Sequence, residues 1–401
     1  MGTAARLGRL ILHLHNRYRT IGGEERVVEE LLWLTREHLH EPAERLERDS
    51  AQLGRARAAV GLLGGGLSPR EVARAVERTG ARVVHAHNLN PDLGWRALAA
   101  ARASGARTVL HLHNYRLVCA VGTCFTRGAD CTRCHGRHTL PGVRLACRGP
   151  RVEAAVYGAA LALHQRRLAG AADAFVVPSE FALGRLRELG APLGRRAHVI
   201  ASPQRSFAAA SAAASGTYAL YAGRLSPEKG AHVAIAACRR AGVPLVVAGD
   251  GPQAEELRAL AAGGEVRFEG RVALERLAEL RAGAALGLVP SLYEEIFPVA
   301  AAELMAAGVP TVASRAGGLA GFVPEPELVE PGDVDAWATA VSARFGDAQA
   351  GECALAAARE RTAPEAVAGQ LRAVYDGDSQ RQAAEPESVN ERPGSGTKRQ
   401  E

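Results

Sequence analysis

The stretch ALGLVPSLYEEIFPVAAAELMAAGVPTVAS (residues 285–314) decides the fold, because it joins a strand to a helix through a short loop. The apolar run at 285–291 predicts a buried strand. Pro298 has the fixed φ and the missing N–H that suit the first turn of a helix. We expect this helix to end at Gly308, just before a proline that cannot continue it. Glu295 then lies in a loop at the carboxyl end of a strand.

Strands and helices alternate in the same way along both halves of the chain. Three strand-like segments of the first half end in His-Asn: RLILHLHN (9–16), ARVVHAHN (81–88) and RTVLHLHN (107–114). The second half repeats the alternation, with strands such as TYALYAG and PLVVAG separated by helical segments. Alternation of this length indicates parallel βαβ units. We therefore predict an α/β protein with two Rossmann-like, doubly wound domains that face a central cleft.

A segment of small residues, FAAASAAASG (207–216), is predicted to be the linker between these domains. We assign residues 1–206 to an N-terminal Rossmann-like domain with a cysteine-rich insert at about 115–150. Residues 217–377 form the predicted C-terminal domain. Residues 378–401 are polar and aperiodic, which predicts a disordered tail.

The composition is that of a soluble globular protein, with 47% hydrophobic and 23% charged residues in 401. No apolar run reaches the length of a membrane-spanning helix, and no signal-peptide cleavage pattern follows the N-terminus. We therefore expect a cytoplasmic protein.

The charge is unevenly divided along the chain. Residues 1–210 carry 31 basic and 17 acidic side chains, whereas the remainder carries 18 and 26. This asymmetry fits either a solvated arginine-rich surface or an anionic partner for the first half. The inner face of a membrane or a lipid-phosphate acceptor would be such a partner, and no nucleic acid is expected.

Two cations follow the strand that opens the second half. In ALYAGRLSPEKGAHVAI (219–235), Arg224 ends the strand and Lys229 lies in the turn before the next helix. Ligands of parallel sheets bind at the carboxyl ends of strands, and cations near a helix N-terminus suit a diphosphate. Taken alone, one Arg and one Lys near a turn are more often surface residues than ligand contacts.

A glycine pair occupies the next such turn, LVVAGDGPQAEEL (245–257). Gly249 and Gly251 allow a ligand to approach the backbone closely. The third glycine of the dinucleotide fingerprint is missing, so a tight turn explains the pair as well as a ligand does.

Glu295 and Glu303 are separated by seven residues. Glu303 lies about 7.5 Å along the helix axis from Pro298, at about 1.5 Å per residue. Backbone N–H groups at the helix start favour anions or hydroxyls. From the residues alone, the two carboxylates are a catalytic pair, two parts of a ligand site or ordinary helix residues.

Taken in order, these motifs resemble those of family 4 retaining glycosyltransferases, which have the GT-B fold. In the second half the resemblance rests on GRLSPEKG, GDGP, FEGRV and the two glutamates followed by AAGVPTVAS and AGG. In the first half it rests on IGGEERVVEELLWL, VVHAHN and LHNYRLVC. It covers about residues 9–376. It implies that the N-terminal domain (1–206) is the acceptor side and that the C-terminal domain (217–377) binds the nucleotide-sugar.

The resemblance implies a role for each candidate. Arg224 and Lys229 would contact the diphosphate of a UDP- or GDP-sugar. Glu295 would touch the hydroxyls of the transferred sugar, and Glu303 would hold the ribose. His113 lies where the family has a histidine near the sugar. The remaining implied donor contacts involve backbone or small residues: Gly22, Gly23, Gly251, Arg271, Val272, Phe297, Pro298 and Val299.

The family is understood to use a same-face mechanism in which the leaving phosphate assists the acceptor hydroxyl. The resemblance therefore implies neither a protein nucleophile nor a required metal ion. Asp333 and Asp335 are predicted to begin a helix rather than to bind a metal. The implied acceptor is a glycan, a lipid-linked sugar or a small molecule, as in the biosynthesis of cell-envelope polysaccharides.

The sequence departs from the family pattern at three places. Pro298 stands where many members have Gly, which removes one N–H donor. Gly321 stands where the family often has Glu, and VIASPQ (199–204) replaces the usual Pro-Asn. These differences affect the expected donor-sugar contacts and the hinge.

Five of the seven cysteines lie in the insert: Cys119, Cys124, Cys131, Cys134 and Cys147. A structural zinc site at Cys119, Cys131, Cys134 and Cys147 is one interpretation, because such clusters in cytoplasmic proteins often bind metal. A cluster of unligated buried thiols is another, and disulfides or an iron–sulfur cluster complete the alternatives. Residues 101–150 carry eight basic side chains and one acidic one, so the insert could face an anionic acceptor.

Three other functions compete with glycosyl transfer. A glycoside hydrolase would use Glu295 and Glu303 as a carboxylate pair, but it gives no role to Arg224 and Lys229. A GT-B epimerase or phosphorylase would share the fold and differ in chemistry. A non-catalytic binding module would keep the scaffold alone.

Overall fold

Two six-stranded parallel sheets organise residues 10–18 and 22–377, which the computed structural model describes. The predicted tail at 378–401 lies outside the described residues. The strands of the first sheet are β1 (Ile11–Arg17), β2 (Ala43–Asp49), β3 (Val83–Ala86), β4 (Arg107–His111), β7 (Ala174–Val177) and β8 (Ala197–Val199). The strands of the second sheet are β9 (Tyr218–Ala222), β10 (Leu245–Ala248), β11 (Val266–Gly270), β12 (Ala284–Val289), β13 (Thr311–Ser314) and β14 (Leu328–Val329). The insert adds a small antiparallel pair, β5 (Phe125–Thr126) and β6 (Ala129–Asp130).

Helices connect these strands and cover both faces of each sheet. In the first half they are α1 (Gly23–Glu37), α2 (Arg55–Gly64), α3 (Pro69–Thr79), α4 (Gly94–Ala103), α5 (Leu140–Arg144), α6 (Arg151–Ala171) and α7 (Glu180–Glu188). In the second half they are α8 (Ala231–Ala241), α9 (Ala254–Leu260), α10 (Leu274–Ala282), α11 (Val299–Ala306), α12 (Val334–Arg344), α13 (Ala348–Thr362) and α14 (Pro364–Asp376). The prediction of two doubly wound α/β domains is confirmed.

The strand order places a crevice at the same edge of each sheet. The first sheet runs β2-β1-β3-β4-β7-β8 and the second runs β11-β10-β9-β12-β13-β14. The order reverses between β1 and β3 and between β9 and β12. At such switch points, neighbouring connections leave the sheet on opposite faces and open a ligand crevice at the carboxyl ends of the strands.

Local signals in the sequence fix several helix boundaries. The Ser179 hydroxyl accepts a hydrogen bond from the Ala182 N–H at 3.1 Å, which caps α7 as predicted. The Asp333 carboxylate caps α12 in the same way, accepting from the Ala336 N–H at 3.0 Å. In the stretch that decides the fold, Pro298 precedes α11, and Gly308 follows it with φ +73°.

Tight backbone packing explains two glycines of the second domain. A Cβ on Gly249 would lie 1.9 Å from the Gly223 carbonyl oxygen, and one on Gly251 would lie 2.4 Å from that of Leu225. The turns after β9 and β10 therefore lie against each other, and this contact alone requires both glycines. The pair brings the two turns together at the mouth of the crevice.

The last helix, α14, returns to the first sheet. Its apolar residues Val367, Leu371 and Val374 share one buried core with β1, β3 and α1. The Tyr375 hydroxyl lies 2.7 Å from Nδ1 of His85. The division of the sequence at 217–377 groups this helix with the second sheet, whereas its apolar face packs on the first. The periodicity of a helix does not reveal which sheet buries it.

The chain crosses between the sheets at two adjacent places. The predicted linker, 207–216, lies along the second domain, where the Ser211 hydroxyl donates to the Gly308 carbonyl at 2.6 Å. The Gln204 N–H donates to the Thr362 carbonyl at 3.0 Å, so the outgoing and returning segments touch. Among the helices of the described residues, none combines the length and the apolar character needed to cross a bilayer.

Replacing Leu371 by Ala should lower the free energy of unfolding by about 2–5 kcal/mol, because the side chain is fully buried between α14 and the first sheet. Denaturant titration monitored by circular dichroism measures this loss. Gln370→Ala, exposed on the same helix, is the matched control and should change stability by less than about 0.5 kcal/mol. Equal effects of the two variants would contradict the packing of α14.

Candidate functional site

A cleft of about 1130 Å³ lies between the carboxyl ends of the two sheets and is lined by residues of both domains. Twelve of the thirteen predicted site residues line it. Pro298 is the exception, because it is buried at the start of α11. The residues brought together are Gly22, Gly23, His113, Arg224, Lys229, Gly251, Arg271, Val272, Glu295, Phe297, Val299 and Glu303.

Lys229 is held against the loop that carries Glu295. Its ammonium donates to Glu295 Oε1 at 2.9 Å and to the Tyr293 hydroxyl at 3.0 Å, and it lies 4.8 Å from the centre of the Tyr293 ring. Burial acts to lower the pKa of Lys229, but Glu295 and Tyr293 outweigh it and raise that pKa well above its usual value. A fixed positive charge therefore stands at the switch point of the second sheet.

The loop from Ser291 to Phe297 is anchored from both sides. The Ser291 hydroxyl donates to Glu295, and the Gly318 N–H donates to the Glu295 carbonyl at 2.6 Å. From the first domain, the Ser179 hydroxyl donates to the Ile296 carbonyl at 2.6 Å. Glu295 is 6% exposed. Its position is thus set by contacts from both domains.

Arg224 reaches from the second domain toward the N-terminal loop. A Cβ on Gly22 would lie 3.3 Å from Nη2 of Arg224, and one on Gly23 would lie 3.9 Å from the Val299 side chain. The Gly22 N–H donates to Glu25 Oε2 at 2.8 Å, which fixes the start of α1. The two glycines therefore keep the loop close to the opposite wall of the cleft.

Glu303 is held between two arginines. Its Oε1 lies 2.7 Å from Nε of Arg26 on α1, and its Oε2 accepts a hydrogen bond from Arg281 on α10. Glu303 is 9% exposed, and Arg26 reaches it from the opposite domain. Sequence reasoning missed both arginines. Arg26 carried a weak signal, because a cation in the first turn of a helix opposes the helix dipole.

The far wall of the cleft is more open. Arg271 is exposed and Val272 is partly buried, directly after β11. Phe297 packs edge-to-face on Phe322, with the ring centroids 5.5 Å apart. Val272 and Phe297 contribute apolar side chains to the lining of the cleft.

Each of the two domains that line the cleft matches the profile of a known family. The profile of the glycosyl transferase 4-like domain matches residues 22–203, and that of glycosyl transferases group 1 matches residues 216–347. The chain contains a glycosyltransferase 4-like domain followed by a group 1 glycosyltransferase domain. The gap between the two matches overlaps the predicted linker.

Curated relatives match parts of the chain. Sulfoquinovosyl transferase SQD2 of Arabidopsis thaliana is 33% identical over 120 residues, which are 28% of this chain and 23% of that protein. Glycogen synthase of Mycobacterium tuberculosis is 38% identical over 157 residues, which are 35% of this chain and 37% of that protein. The matched part thus spans well under half of these relatives' length.

Solved structures match nearly the whole chain. Anabaena Alr3699/HepE, in complex with UDP and glucose, superposes with a TM-score of 0.62 at 19% identity, covering 92% of this chain and 100% of that one. At this identity the likeness establishes the fold, which is GT-B.

The first domain contributes a buried polar network that the sequence did not reveal. Glu24 accepts from the Tyr18 hydroxyl at 2.8 Å and from the Asn114 amide at 3.3 Å, and Arg116 donates to Tyr18 at 2.5 Å. Burial raises the pKa of Glu24 to about 7, although Arg116 opposes this shift. Glu24 and Asn114 lie in the quoted motifs IGGEERVVEELLWL and LHNYRLVC, so their positions were noted without a role.

His113 lines the cleft on the side of the same domain. Its Nε2 lies 2.9 Å from Nδ1 of His87 on the buried side. Burial lowers the pKa of His113 to about 3, with His15 adding to the shift. The imidazole is therefore neutral at pH 7.

The cysteines of the insert surround one small cavity of about 10 Å³: Cys119, Cys124, Cys131, Cys134 and Cys147. All are free thiols, and a hydrogen bond from Cys124 lowers the pKa of Cys119 to about 6. Among the described residues, no three cysteine sulfurs lie within 4.8 Å of one another. The structure thus gathers the thiols without preforming a tetrahedral site, and zinc there stays a prediction.

The stability of the protein should fall with pH through the titration of Glu24. The folded pKa of about 7 lies above the usual value of 4.5, so between these values the folded chain binds more protons than the unfolded chain. Folding stability then decreases as the pH rises through this window. Relative to Glu24→Gln, the wild type should lose about 3 kcal/mol between about pH 4.5 and pH 8.

Urea unfolding of both proteins across this pH range measures the difference. Glu37→Gln, at an exposed position on the same helix, is the control. A constant difference between wild type and Glu24→Gln at every pH would show that Glu24 is not buried as described.

Proposed function

We propose that the chain is a family 4 glycosyltransferase that moves a sugar, with retention, from a nucleotide-sugar to an acceptor hydroxyl. The observation that carries the proposal is the convergence of Arg224, Lys229 and Glu295 at the switch point of the second sheet, inside the cleft between two glycosyltransferase-type domains. UDP- and GDP-sugars are the proposed donors. The binding of UDP by the Anabaena neighbour is consistent with this class.

Arg224 and Lys229 are the proposed contacts of the donor diphosphate. Negative charge grows on the departing nucleoside diphosphate, and fixed cations stabilise it best when they need no rearrangement. Lys229 meets this condition because Tyr293 and Glu295 hold it in place. It is one of two lysines in a chain whose other basic residues are arginines. We assign to these two cations the charge stabilisation that a metal ion gives in metal-dependent transferases.

Glu295 is proposed to bind the hydroxyls of the transferred sugar. Its Oε1 accepts from Lys229 and Ser291, which leaves the second carboxylate oxygen for further donors. Phe297 and Val299 then face the same sugar from the start of α11. Pro298, which is buried and lacks an N–H, cannot donate there, so this contact is proposed to fall to its neighbours.

Glu303 is proposed to hold the ribose. Arg26 and Arg281 occupy its two oxygens, but their side chains are 29% and 10% exposed, respectively. We infer that the ribose hydroxyls replace the more exposed Arg26, while Arg281 continues to orient the carboxylate. Arg271 and Val272 would line the base pocket beside it.

The acceptor would enter from the glycosyltransferase 4-like domain. Glu24, Asn114 and Arg116 present polar atoms on that side of the cleft, and neutral His113 lies next to them. In the proposed same-face mechanism, a phosphate oxygen of the leaving group takes the acceptor proton, so no side chain forms a covalent intermediate. A glycan, a lipid-linked sugar or a small molecule would satisfy this arrangement.

The hydrolase alternative is less consistent with the cleft. Glu295 pairs with Lys229, while Glu303 pairs with Arg26 and Arg281, so each carboxylate has its own cations. A hydrolase needs the two carboxylates to flank one bond. An epimerase, a phosphorylase or a non-catalytic module would fit the same geometry, and product analysis separates these from a transferase.

Lys229→Ala should lower kcat by about 100- to 1000-fold, because it removes a contact that strengthens as the leaving group gains charge.

Glu303→Ala should instead weaken donor binding by about tenfold, through loss of the ribose hydrogen bonds. Thermal shift with a panel of UDP-, GDP- and ADP-sugars identifies the donor, and titration calorimetry and initial rates then measure the two effects.

The matched control is Glu327→Ala, which removes a carboxylate of similar burial that pairs with Arg344 outside the cleft. Donor binding should survive in this variant. Full transferase activity in both Lys229→Ala and Glu303→Ala would refute the site assignment, and no shift with any nucleotide-sugar would favour a binding module.

Peripheral contact with an anionic membrane is a further part of the proposal. Arg127, Arg133 and Arg144 are exposed on the insert, close in sequence to Leu140 and Val152, which are 45% and 77% exposed. Cations beside apolar side chains suit an anionic lipid surface. The function as a transferase does not depend on this contact.

Co-sedimentation should show binding to vesicles of phosphatidylglycerol and little binding to vesicles of phosphatidylcholine. The binding should fall when salt rises from about 0.01 M to about 1 M, since the Debye length shortens from about 30 Å to about 3 Å. A variant with Arg133→Glu and Arg144→Glu should bind less than wild type. Salt-insensitive binding, or none, would contradict the contact.

A further inference from the structure

A layer of imidazoles covers one face of the first sheet at its switch point. Neighbouring strands place His13 directly beside His85, in parallel register. Four further histidines extend the layer toward the cleft. His15 and His87 lie two residues beyond His13 and His85, and His111 and His113 lie at the end of β4 and just beyond it. Its members are His13, His15, His85, His87, His111 and His113.

The rings of this layer are in contact with one another. Nδ1 of His13 lies 3.0 Å from Nε2 of His87, and Nδ1 of His87 lies 2.9 Å from Nε2 of His113. The rings of His111 and His113 stack with their centroids 4.0 Å apart. A continuous set of nitrogen atoms therefore runs from the core of the domain to the wall of the cleft.

Several nitrogens of the layer are buried without a hydrogen-bond partner. Both ring nitrogens of His111 and of His15 are in this state, as is Nε2 of His85. A buried polar atom without a partner costs about 1–3 kcal/mol, and a missing ion or water is a common reason for one. Several ring nitrogens of the layer are therefore free to bind a further partner.

Two trios in the layer have the spacing of metal ligands. One nitrogen from each of His87, His111 and His113 lies within 4.8 Å of the others, and His13, His85 and His87 form a second such trio. His113 lines the cleft, so the first trio is open to ions from solvent. The second trio is enclosed.

We propose that His87, His111 and His113 bind a divalent transition-metal ion of the zinc, cobalt or nickel type. Imidazole nitrogen suits these ions, whereas magnesium and calcium require oxygen ligands. Metal–nitrogen distances are about 2.0–2.1 Å, so nitrogens within 4.8 Å must move closer together, and the stacked rings of His111 and His113 must rotate, to meet one ion. A fourth position would face the cleft.

The ion has a structural task that differs from the proposed glycosyl transfer. It would fix the ring of His113 at the wall of the cleft and give a partner to one of the two unpartnered nitrogens of His111. The inference does not depend on the proposed transferase function, because the site and its test involve metal binding alone.

Cobalt(II) titration of the tag-free full-length chain, freed of metal by a chelator, tests the proposal. We expect one equivalent to bind, with ligand-field bands of a nitrogen-coordinated ion. His111→Phe should weaken binding by at least about 100-fold, as expected when a metal loses a ligand. His15→Phe is the matched control, because His15 is equally buried and unpartnered but belongs to neither trio.

A second pair of variants keeps the test decisive. If His111→Phe does not fold by circular dichroism, His111→Leu serves in its place. Cys134→Ser should leave the cobalt spectrum unchanged, since the insert thiols are not the proposed ligands. A thiolate-to-cobalt charge-transfer band, equal affinity of His111→Phe and wild type, or no stoichiometric binding would each overturn the proposal.

Discussion

Parallel pairing of the strands is the constraint on which the site depends. It gathers every carboxyl end of a sheet at one edge, and the reversal of strand order opens a crevice there. Lys229 follows β9 and Glu295 follows β12, so the two strands that flank the reversal bring these residues to 2.9 Å. The same constraint in the first sheet aligns the histidines that end β1, β3 and β4. Both the contact between Lys229 and Glu295 and the imidazole layer are consequences of this one topological rule.

Charge pairing across the cleft then defines its shape. Arg26 reaches Glu303 and Arg185 reaches Glu294, at 2.7 and 2.6 Å, so cations of the first domain meet carboxylates of the second. This matches the uneven charge of the two halves, with basic residues concentrated in the first. Such partly buried pairs set register more than they add stability.

Local features of the fold were predictable because their causes are local. The caps at Ser179 and Asp333 and the helix end at Gly308 follow from a few adjacent residues. The sheet on which α14 packs could not be predicted, since the packing depends on apolar contacts with β1 and β3. Motifs placed the site residues in one cleft, yet the partners of Glu303 could not be read from them. Those partners depend on how the two domains face each other.

The double crossing of the chain has a mechanical consequence. Gln204 on the outgoing segment is hydrogen-bonded to Thr362 on the returning one, and α14 then anchors the chain to the first sheet. These two adjacent crossings define a single axis of rotation between the domains. Two connections this close together oppose sliding of one half along the other more than they oppose rotation about the line that joins them. Rotation about this axis can widen the cleft between the domains. The distance between Lys229 and Glu295 does not change in such a rotation, because both residues belong to the second domain.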